Sequence, residues 1–433
     1  MHQPVTVFWF RRDLRLDDNV GLFHALNSEY QVLPIFIFDT DILERLPEDD
    51  SRVTFIHDRL SQIQNQLKKF DSSIAVYNGK PIEVFNKLAD DYNIKEVYTN
   101  SDYEPYAISR DKEIESFLSD KKIQFSTFKD HVIYERDEIV KQDGLPYKVY
   151  TPFSKIWLKQ FKQDGLNFFP SENHLGNSVK NQDLPFLSLE DIGFKTSSVK
   201  VKNYNIDDSI INDYEATRNF PAKESTSGIG PHLRFGTISI RKVVKKASAH
   251  KNITFLKELI WREFFMQILW HFPHTTNQSF KPLYDRIVWR NNEEEFKAWC
   301  EGRTGYPLVD AGMRQLNETG FMHNRVRMLV GSFLCKHLLI DWRWGEAYFA
   351  EKLHDYEMAS NVGNWQWVAG CGVDAAPYFR IFNPTTQIQK FDKDHSYIKK
   401  WVPEYQELTY PTPIVDHSEA RERCLETYRT ALN

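Results

Sequence analysis

The sequence predicts an α/β unit with a parallel, Rossmann-like sheet at the front of the chain, a long connector, and an all-α unit behind it. Three observations carry this division. Short β-branched and aromatic runs recur at 5–10, 32–38, 74–77, 97–99 and 123–128, with helical patterns at 20–27, 51–69, 81–92 and 105–121 between them. Strands spaced by amphipathic helices wind right-handedly into a parallel sheet covered on both faces. Beyond residue 206 strand signals fade, and apolar spacing of i, i+3, i+4 takes over at 240–249, 254–269, 305–317, 323–339 and 344–356. The intervening stretch is loop-like apart from a helical pattern at 153–161, and it is too long for a single structureless loop. The expected organisation is therefore 1–130 (α/β), 131–205 (connector) and 206–433 (helical).

Composition agrees with more than one core. A chain of 433 residues exceeds what one core usually serves. Hydrophobic content of 41% and charged content of 27% are those of a globular protein. No run of 18 apolar residues is present, so no membrane span is expected. The start of the chain reads as a strand, VTVFWF, with no basic region before it, which suits a cytoplasmic protein. Four scattered cysteines, Cys300, Cys335, Cys371 and Cys424, make no C-x-x-C and argue against a disulfide framework or a zinc site. A net charge of −5 neither announces nor excludes nucleic acid, because a local basic patch decides that.

Parallel sheets bind ligands at the carboxyl ends of their strands. After the first strand, however, comes RRDLRLDDN and no G-x-G-x-x-G, so a ligand there would be held by other means. The aromatic residues point elsewhere. Of 11 tryptophans only Trp9 and Trp157 precede residue 250. The stretch 354–387 sets Trp365 and Trp367 among Gly363, Asn361, Asn364, Asp355, Glu357 and the small run Ala369, Gly370, Cys371 and Gly372. Small residues let backbone approach a flat object, and Trp offers a rigid face with one donor. The run suits a planar polar cofactor as well as it suits a glycine-rich turn with two core tryptophans.

Further motifs read together with it. Tyr214 and Arg218 precede Thr226, Ser227, Gly228, Ile229 and Gly230, a hydroxyl- and glycine-rich turn opening a helix. Such a turn can cradle phosphate, although a plain capped helix start reads the same way. Glu258 and Trp261 share a helix face at i, i+3. MHNRVRM follows at 322–328, and DAAPYFRIFNPTTQ closes the series at 374–387.

With these motifs in order, the sequence resembles the DNA photolyase/cryptochrome family, nearest to class I cyclobutane pyrimidine dimer photolyases. The resemblance runs from FWFRRDLRLDDN to KFDKDHSYIKKWVPE. It implies an antenna chromophore in the α/β domain, FAD in the helical domain, and light-driven electron transfer from reduced flavin to a flipped-out dimer. It further implies that Tyr214 and the run Thr226, Ser227, Gly228, Ile229 and Gly230 contact the FAD phosphates. Gly228 and Gly230 stand where many relatives carry Arg and Ser, which shifts that task toward backbone N–H groups. Arg327 and Asp355 match an ion pair beside the flavin ring, and Asn361 matches the residue facing flavin N5. Arg262, Phe265, Glu357 and Glu258 complete the implied cofactor set.

Glu258, Asn324, Trp261, Met328 and Trp367 match the lesion pocket, with stacking from Trp261 and Trp367 and a proton from Glu258. Trp365, Trp342 and Trp289 match the photoreduction chain. Arg325, Lys390, Trp261 and Trp367 are the expected DNA contacts, and no metal is expected. Asn324 and Met328 favour dimer repair over the (6-4) branch. The loop Asp102, Tyr103, Glu104, Pro105 and Tyr106 leaves the antenna open among deazaflavin, flavin and folate types, leaning away from folate because Tyr106 and Ala107 replace an Asn-Glu pair. The expected partner is UV-damaged DNA containing pyrimidine dimers, and the expected state is a monomer. The alternative is a cryptochrome-type photoreceptor that uses the same flavin for signalling.

Overall fold

The computed structural model describes residues 3–433 and divides the chain into two compact units. The first comprises residues up to Glu135 together with Lys159–Lys202 and Ile229–Ala249; the second comprises Arg136–Leu158, Asn203–Gly228 and His250–Asn433.

The first unit is built on five parallel strands: β1 (Pro4–Phe10), β2 (Gln31–Asp39), β3 (Ala75–Gly79), β4 (Asn93–Asn100) and β5 (Gln124–Phe128). Their order is β3-β2-β1-β4-β5. Alternation explains why both faces are covered. Val5, Val7 and Trp9 of β1 pack into one apolar cluster, and Phe8 and Phe10 pack into another. β2 does the same, with Leu33, Ile35 and Ile37 on one face and Val32, Phe36 and Phe38 on the other. A strand apolar on both faces belongs inside a doubly covered parallel sheet.

Helices Val20–Leu26, Ser51–Leu67, Pro81–Asp91 and Pro105–Asp120 connect the strands, as the periodicity requires. Asn19 and Asp50 cap the first two by accepting backbone N–H groups of the opening turn.

Two segments that the sequence reading groups elsewhere belong to this unit. Leu175, Leu189, Ile192 and Phe194 of the connector are buried against the same face as Phe8 and Phe10. Helix Ile240–Ser248, whose periodicity reads as part of the helical half, belongs here too. The reason is electrostatic as well as apolar. Arg241 donates to Asp130 Oδ1 at 2.9 Å and to Asp18 Oδ2 at 3.0 Å, and Arg15 holds both oxygens of Asp130 at 2.7 Å. The RRDLRLDDN run thus supplies a buried ion network beside the sheet.

The second unit is helical. Helices Thr254–His271, Pro307–Thr319, Asn324–Ser332 and Trp342–Lys352 appear where the spacing places them. Helices Met358–Ala369, Pro384–Phe391, Ser396–Trp401 and His417–Leu432 come in addition to that reading. The connector's helix runs over Tyr150–Asp164, a little longer than the pattern at 153–161. Among the described residues, no helix is long and apolar enough to cross a membrane.

The Asp130 network makes a prediction. Burial alone would raise its carboxyl, but the Arg15 and Arg241 guanidiniums outweigh burial and hold it well below the usual range. A folded-state value below the unfolded one adds stability that is complete above the unfolded value, about 4, and fades as pH falls. Asp130→Asn, which leaves two buried guanidiniums short of their counter-charge, should cost about 3–5 kcal/mol at pH 7. Urea midpoints of the two proteins should converge as the pH is taken toward 3, and a gap that stays constant would contradict the network's role.

Candidate active site

Three helices of the second unit present one face each to a single cavity of about 390 Å³. From Thr254–His271 come Glu258, Trp261, Arg262 and Phe265; from Asn324–Ser332 come Asn324, Arg327, Met328 and Gly331; from Met358–Ala369 come Asn361, Asn364, Trp365 and Val368. Each set is spaced i, i+3, i+4, i+7, which is one stripe of an α-helix. Trp367, Asp355, Glu357, Tyr356, Ser360, Phe349, Leu353 and Arg218 complete the wall. The volume lies in the range of cofactor sites, roughly 300–1,000 Å³.

The charges in this wall are paired. Arg327 forks onto Asp355 with contacts of 3.1 and 2.9 Å, while its Nε donates to Met322 O at 2.7 Å. Arg262 lies 3.3 Å from Glu357. Arg218 forms an ion pair with Glu258. Burial pushes the Glu258 carboxyl up, and Arg218 pulls it back only in part. His323 caps the helix carrying Asn324 by accepting the Arg325 N–H at its Nδ1. Burial, and then the charges of Arg327 and Arg325, push His323 down to about 4, so it stays neutral and able to accept.

Asn361 carries the sharpest orientation. Its Nδ2 donates to Glu346 O at 3.0 Å and to Glu346 Oε1 at 2.9 Å. A backbone carbonyl can only accept, so the amide nitrogen is fixed on that side and Oδ1 is left to meet a donor in the cavity. Glu346 is half-buried, and loss of solvent raises its carboxyl.

Trp261 is held by a neighbour the motifs did not reveal. Tyr150 stacks on it at 3.7 Å and 7°, and the Tyr150 hydroxyl donates to Lys257 O at 2.8 Å. One face of the indole is thereby covered.

Glycines admit the other rings. A Cβ on Gly345 would lie 2.2 Å from the Trp365 ring, and one on Gly363 would lie 2.2 Å from Phe265. Trp365 also meets Trp299 edge-on at 6.2 Å and Phe349 at 5.0 Å.

The expected site residues therefore fall into two groups. Glu258, Asn324, Trp261, Met328, Trp367, Arg262, Phe265, Arg327, Asp355, Glu357, Asn361 and Trp365 line one cavity. Tyr214, Thr226, Ser227, Gly228, Ile229 and Gly230 stand outside its wall, and the last two fall in the first unit. Trp342 is buried and Trp289 half-buried in the aromatic core that also holds Trp365. Trp289 packs edge-on against Tyr428 at 6.2 Å. Arg325 lies 4.4 Å over the Phe391 ring, Lys390 lies 5.3 Å over the same ring, and the charges of Arg218 and Arg380 both reach Arg325.

The sequence motifs contain Arg218 without marking a role for it, and they do not mark Glu346 or Tyr150. The i, i+3, i+4, i+7 spacing would have added Asn364. Nothing local marks Tyr150, whose partner lies 111 positions away in sequence (261 − 150).

Fold and site define a two-part protein with a polar, aromatic cofactor cavity in its helical unit. Residues 6–171 match the family model for DNA photolyase, and residues 255–409 match that for the FAD binding domain of DNA photolyase. The chain is 36% identical to the deoxyribodipyrimidine photo-lyase of Agrobacterium fabrum, over 98% of this chain and 97% of that one. A bacterial class III photolyase from Agrobacterium tumefaciens superposes with a TM-score of 0.87 at 33% identity, covering 100% of this chain and 98% of the other. An archaeal photolyase from Sulfolobus tokodaii with two FAD molecules gives 0.82 at 33% identity, covering 99% and 100%. The chain belongs to the DNA photolyase family, and its helical unit carries the FAD-binding domain.

The cavity fits that cofactor: it offers ring faces, a paired guanidinium, and an amide whose nitrogen is held by Glu346. If Asn361 faces the flavin, Asn361→Asp should alter the absorption spectrum of the photoreduced protein, and Glu346→Ala should alter it in a weaker form by freeing the amide. Two unchanged spectra would remove this pair from the flavin's surroundings.

Proposed function

We propose that this protein splits cyclobutane pyrimidine dimers in DNA by light-driven electron transfer, with the lesion flipped into the cavity of the helical unit. The observation that carries the reading is the meeting of Glu258, Asn324, Met328, Trp261 and Trp367 in one cavity with Asn361, Arg327 and Asp355. Bound FAD, reduced and excited by light, supplies the electron.

The chain's residues do the rest. Trp261 and Trp367 give an extruded pair of bases something to stack on, which offsets the loss of stacking in the duplex. Asn324 hydrogen-bonds a base edge. Glu258 places a proton or hydrogen bond at a dimer carbonyl, where negative charge develops. The Arg327–Asp355 pair keeps a fixed cation near the flavin ring, favouring negative charge on it when reduced. Trp365 lies in both the cavity wall and the aromatic core with Trp342 and Trp289, and these three relay electrons inward to restore the reduced cofactor. Arg325 and Lys390 grip phosphates, and each such contact adds to the salt dependence of binding. Tyr214 and the turn at Thr226, Ser227, Gly228, Ile229 and Gly230 hold the FAD phosphates.

For the α/β unit the reading is an antenna chromophore of deazaflavin or flavin type. It is supported by the solved relative that carries two FAD molecules and by the carboxyl edge between β1 and β4, where the strand order reverses. Exposed Tyr106, in the helix after β4, has its hydroxyl donating to Asp39 at the end of β2 at 2.6 Å and the Arg110 guanidinium 5.7 Å over its ring.

The deciding assay mixes photoreduced protein with an oligonucleotide carrying one thymine dimer, in blue light and in darkness. Dimer loss in light alone is expected; bound, photoreducible FAD without dimer loss would favour a photoreceptor instead. Trp365→Phe should stop photoreduction of oxidised flavin yet spare repair by chemically reduced protein, and equal loss of both would remove its relay role. Trp261→Ala should weaken lesion binding by about 1–3 kcal/mol, roughly 5- to 150-fold, as read by titration with the same oligonucleotide.

A further inference from the structure

Glu258 is the acid of the cavity whose cation, Arg218, also lies close enough to Arg325 for the two charges to act on each other. Arg218 Nη1 pairs with its Oε1, and the side chains are 28% and 33% exposed. Arg218 lies directly after helix Asp208–Thr217 and next to Asn219, which accepts from Arg325, so Arg218 and Arg325 sit at neighbouring points. The other acids and cations of the wall are already matched: Arg327 with Asp355, Arg262 with Glu357. An acid committed to a guanidinium cannot donate a hydrogen bond to a lesion carbonyl. The pair must therefore open before Glu258 can act.

We propose that Arg218 is the positioning residue for Glu258: it holds the carboxylate until a backbone phosphate of the lesion strand takes the guanidinium, and the released acid then meets the lesion carrying a proton drawn from solvent. This rests on the photolyase reading of the cavity. The exchange leaves every charge matched, because phosphate replaces carboxylate on Arg218 and a proton replaces Arg218 on Glu258. Guanidinium forks suit phosphate as well as carboxylate, so the swap needs no new kind of contact.

The surroundings of Glu258 support the proton's arrival. Burial pushes its carboxyl up while Arg218 pulls it down, so removing Arg218 leaves burial to act alone. Tyr150 on helix Tyr150–Asp164 and Tyr214 on helix Asp208–Thr217 also feel Glu258, and burial and that carboxylate push both phenols up. They stay neutral and supply no competing charge. Arg262 on its own helix and Arg327 on helix Asn324–Ser332 are held by their acids, and Arg325 turns to Asn219.

The test is calorimetry of the FAD-loaded full chain with a thymine-dimer oligonucleotide, repeated in buffers of different ionisation enthalpy to count protons. Wild type should take up a proton on binding, approaching about one per lesion where the free carboxyl is ionised and the bound one is not. Arg218→Gln raises the carboxyl of the free protein, so the uptake window should open at higher pH. At the pH of greatest wild-type uptake it should take up at least about twofold less. Arg218→Lys should restore most of the uptake, and Glu258→Gln should abolish it. Tight lesion binding with no proton uptake, or the same uptake in Arg218→Gln as in wild type, would overturn the proposal. Absence of lesion binding in wild type would overturn the photolyase reading, and this inference with it.

Discussion

The fork of Arg327 onto Asp355 is the contact on which the cavity depends. It ties helix Asn324–Ser332 to the segment that leads into helix Met358–Ala369, and its third donor reaches back to Met322 O. A guanidinium lining a part-buried cavity needs a geometrically matched acceptor, and a carboxylate meets it in two parallel bonds. With that pair in place, the helices bearing Asn324 and Met328 and those bearing Asn361 and Trp365 hold their stripes toward the same space. The cost of burying charge is offset within the wall, and the cavity stays polar without stray charge.

A second constraint is steric. Trp365 and Phe265 can stand where they do because Gly345 and Gly363 leave no Cβ in the way. The density of rings around Trp365, with Trp299 and Phe349 in edge contact, gives the helical unit much of its core. Packing alone accounts for the burial of every tryptophan in this core, so burial does not assign a second purpose to any of them. Function separates them only through readouts that packing does not move, such as photoreduction set against repair.

The α/β unit uses charge differently. Arg15, Arg241, Asp18 and Asp130 form a closed network buried beside the sheet, and it recruits helix Ile240–Ser248 from a distant part of the sequence. RRDLRLDDN therefore reads correctly as a departure from a dinucleotide fingerprint, but much of its charge serves architecture. The same economy appears in the cavity, where Arg218 pairs with Glu258 at the wall.

The sequence by itself determined the parallel sheet, because short β-branched and aromatic runs separated by helical periodicity are local and strong from 5 to 128. It determined the helical character of the second half for the same reason, and its motif order pointed to the photolyase family and to most of the cavity wall. Helices such as Met358–Ala369 escaped the periodicity because they are buried on several sides and rich in small residues, which erases the apolar stripe. Tertiary structure alone decided which segments join which unit, since Asp130 and Arg241 find each other across 111 positions (241 − 130). It alone set Tyr150 on Trp261, turned Asn361 by means of Glu346, and paired Arg218 with Glu258. Each of these is a contact between different elements, and no local pattern encodes the partner of a side chain.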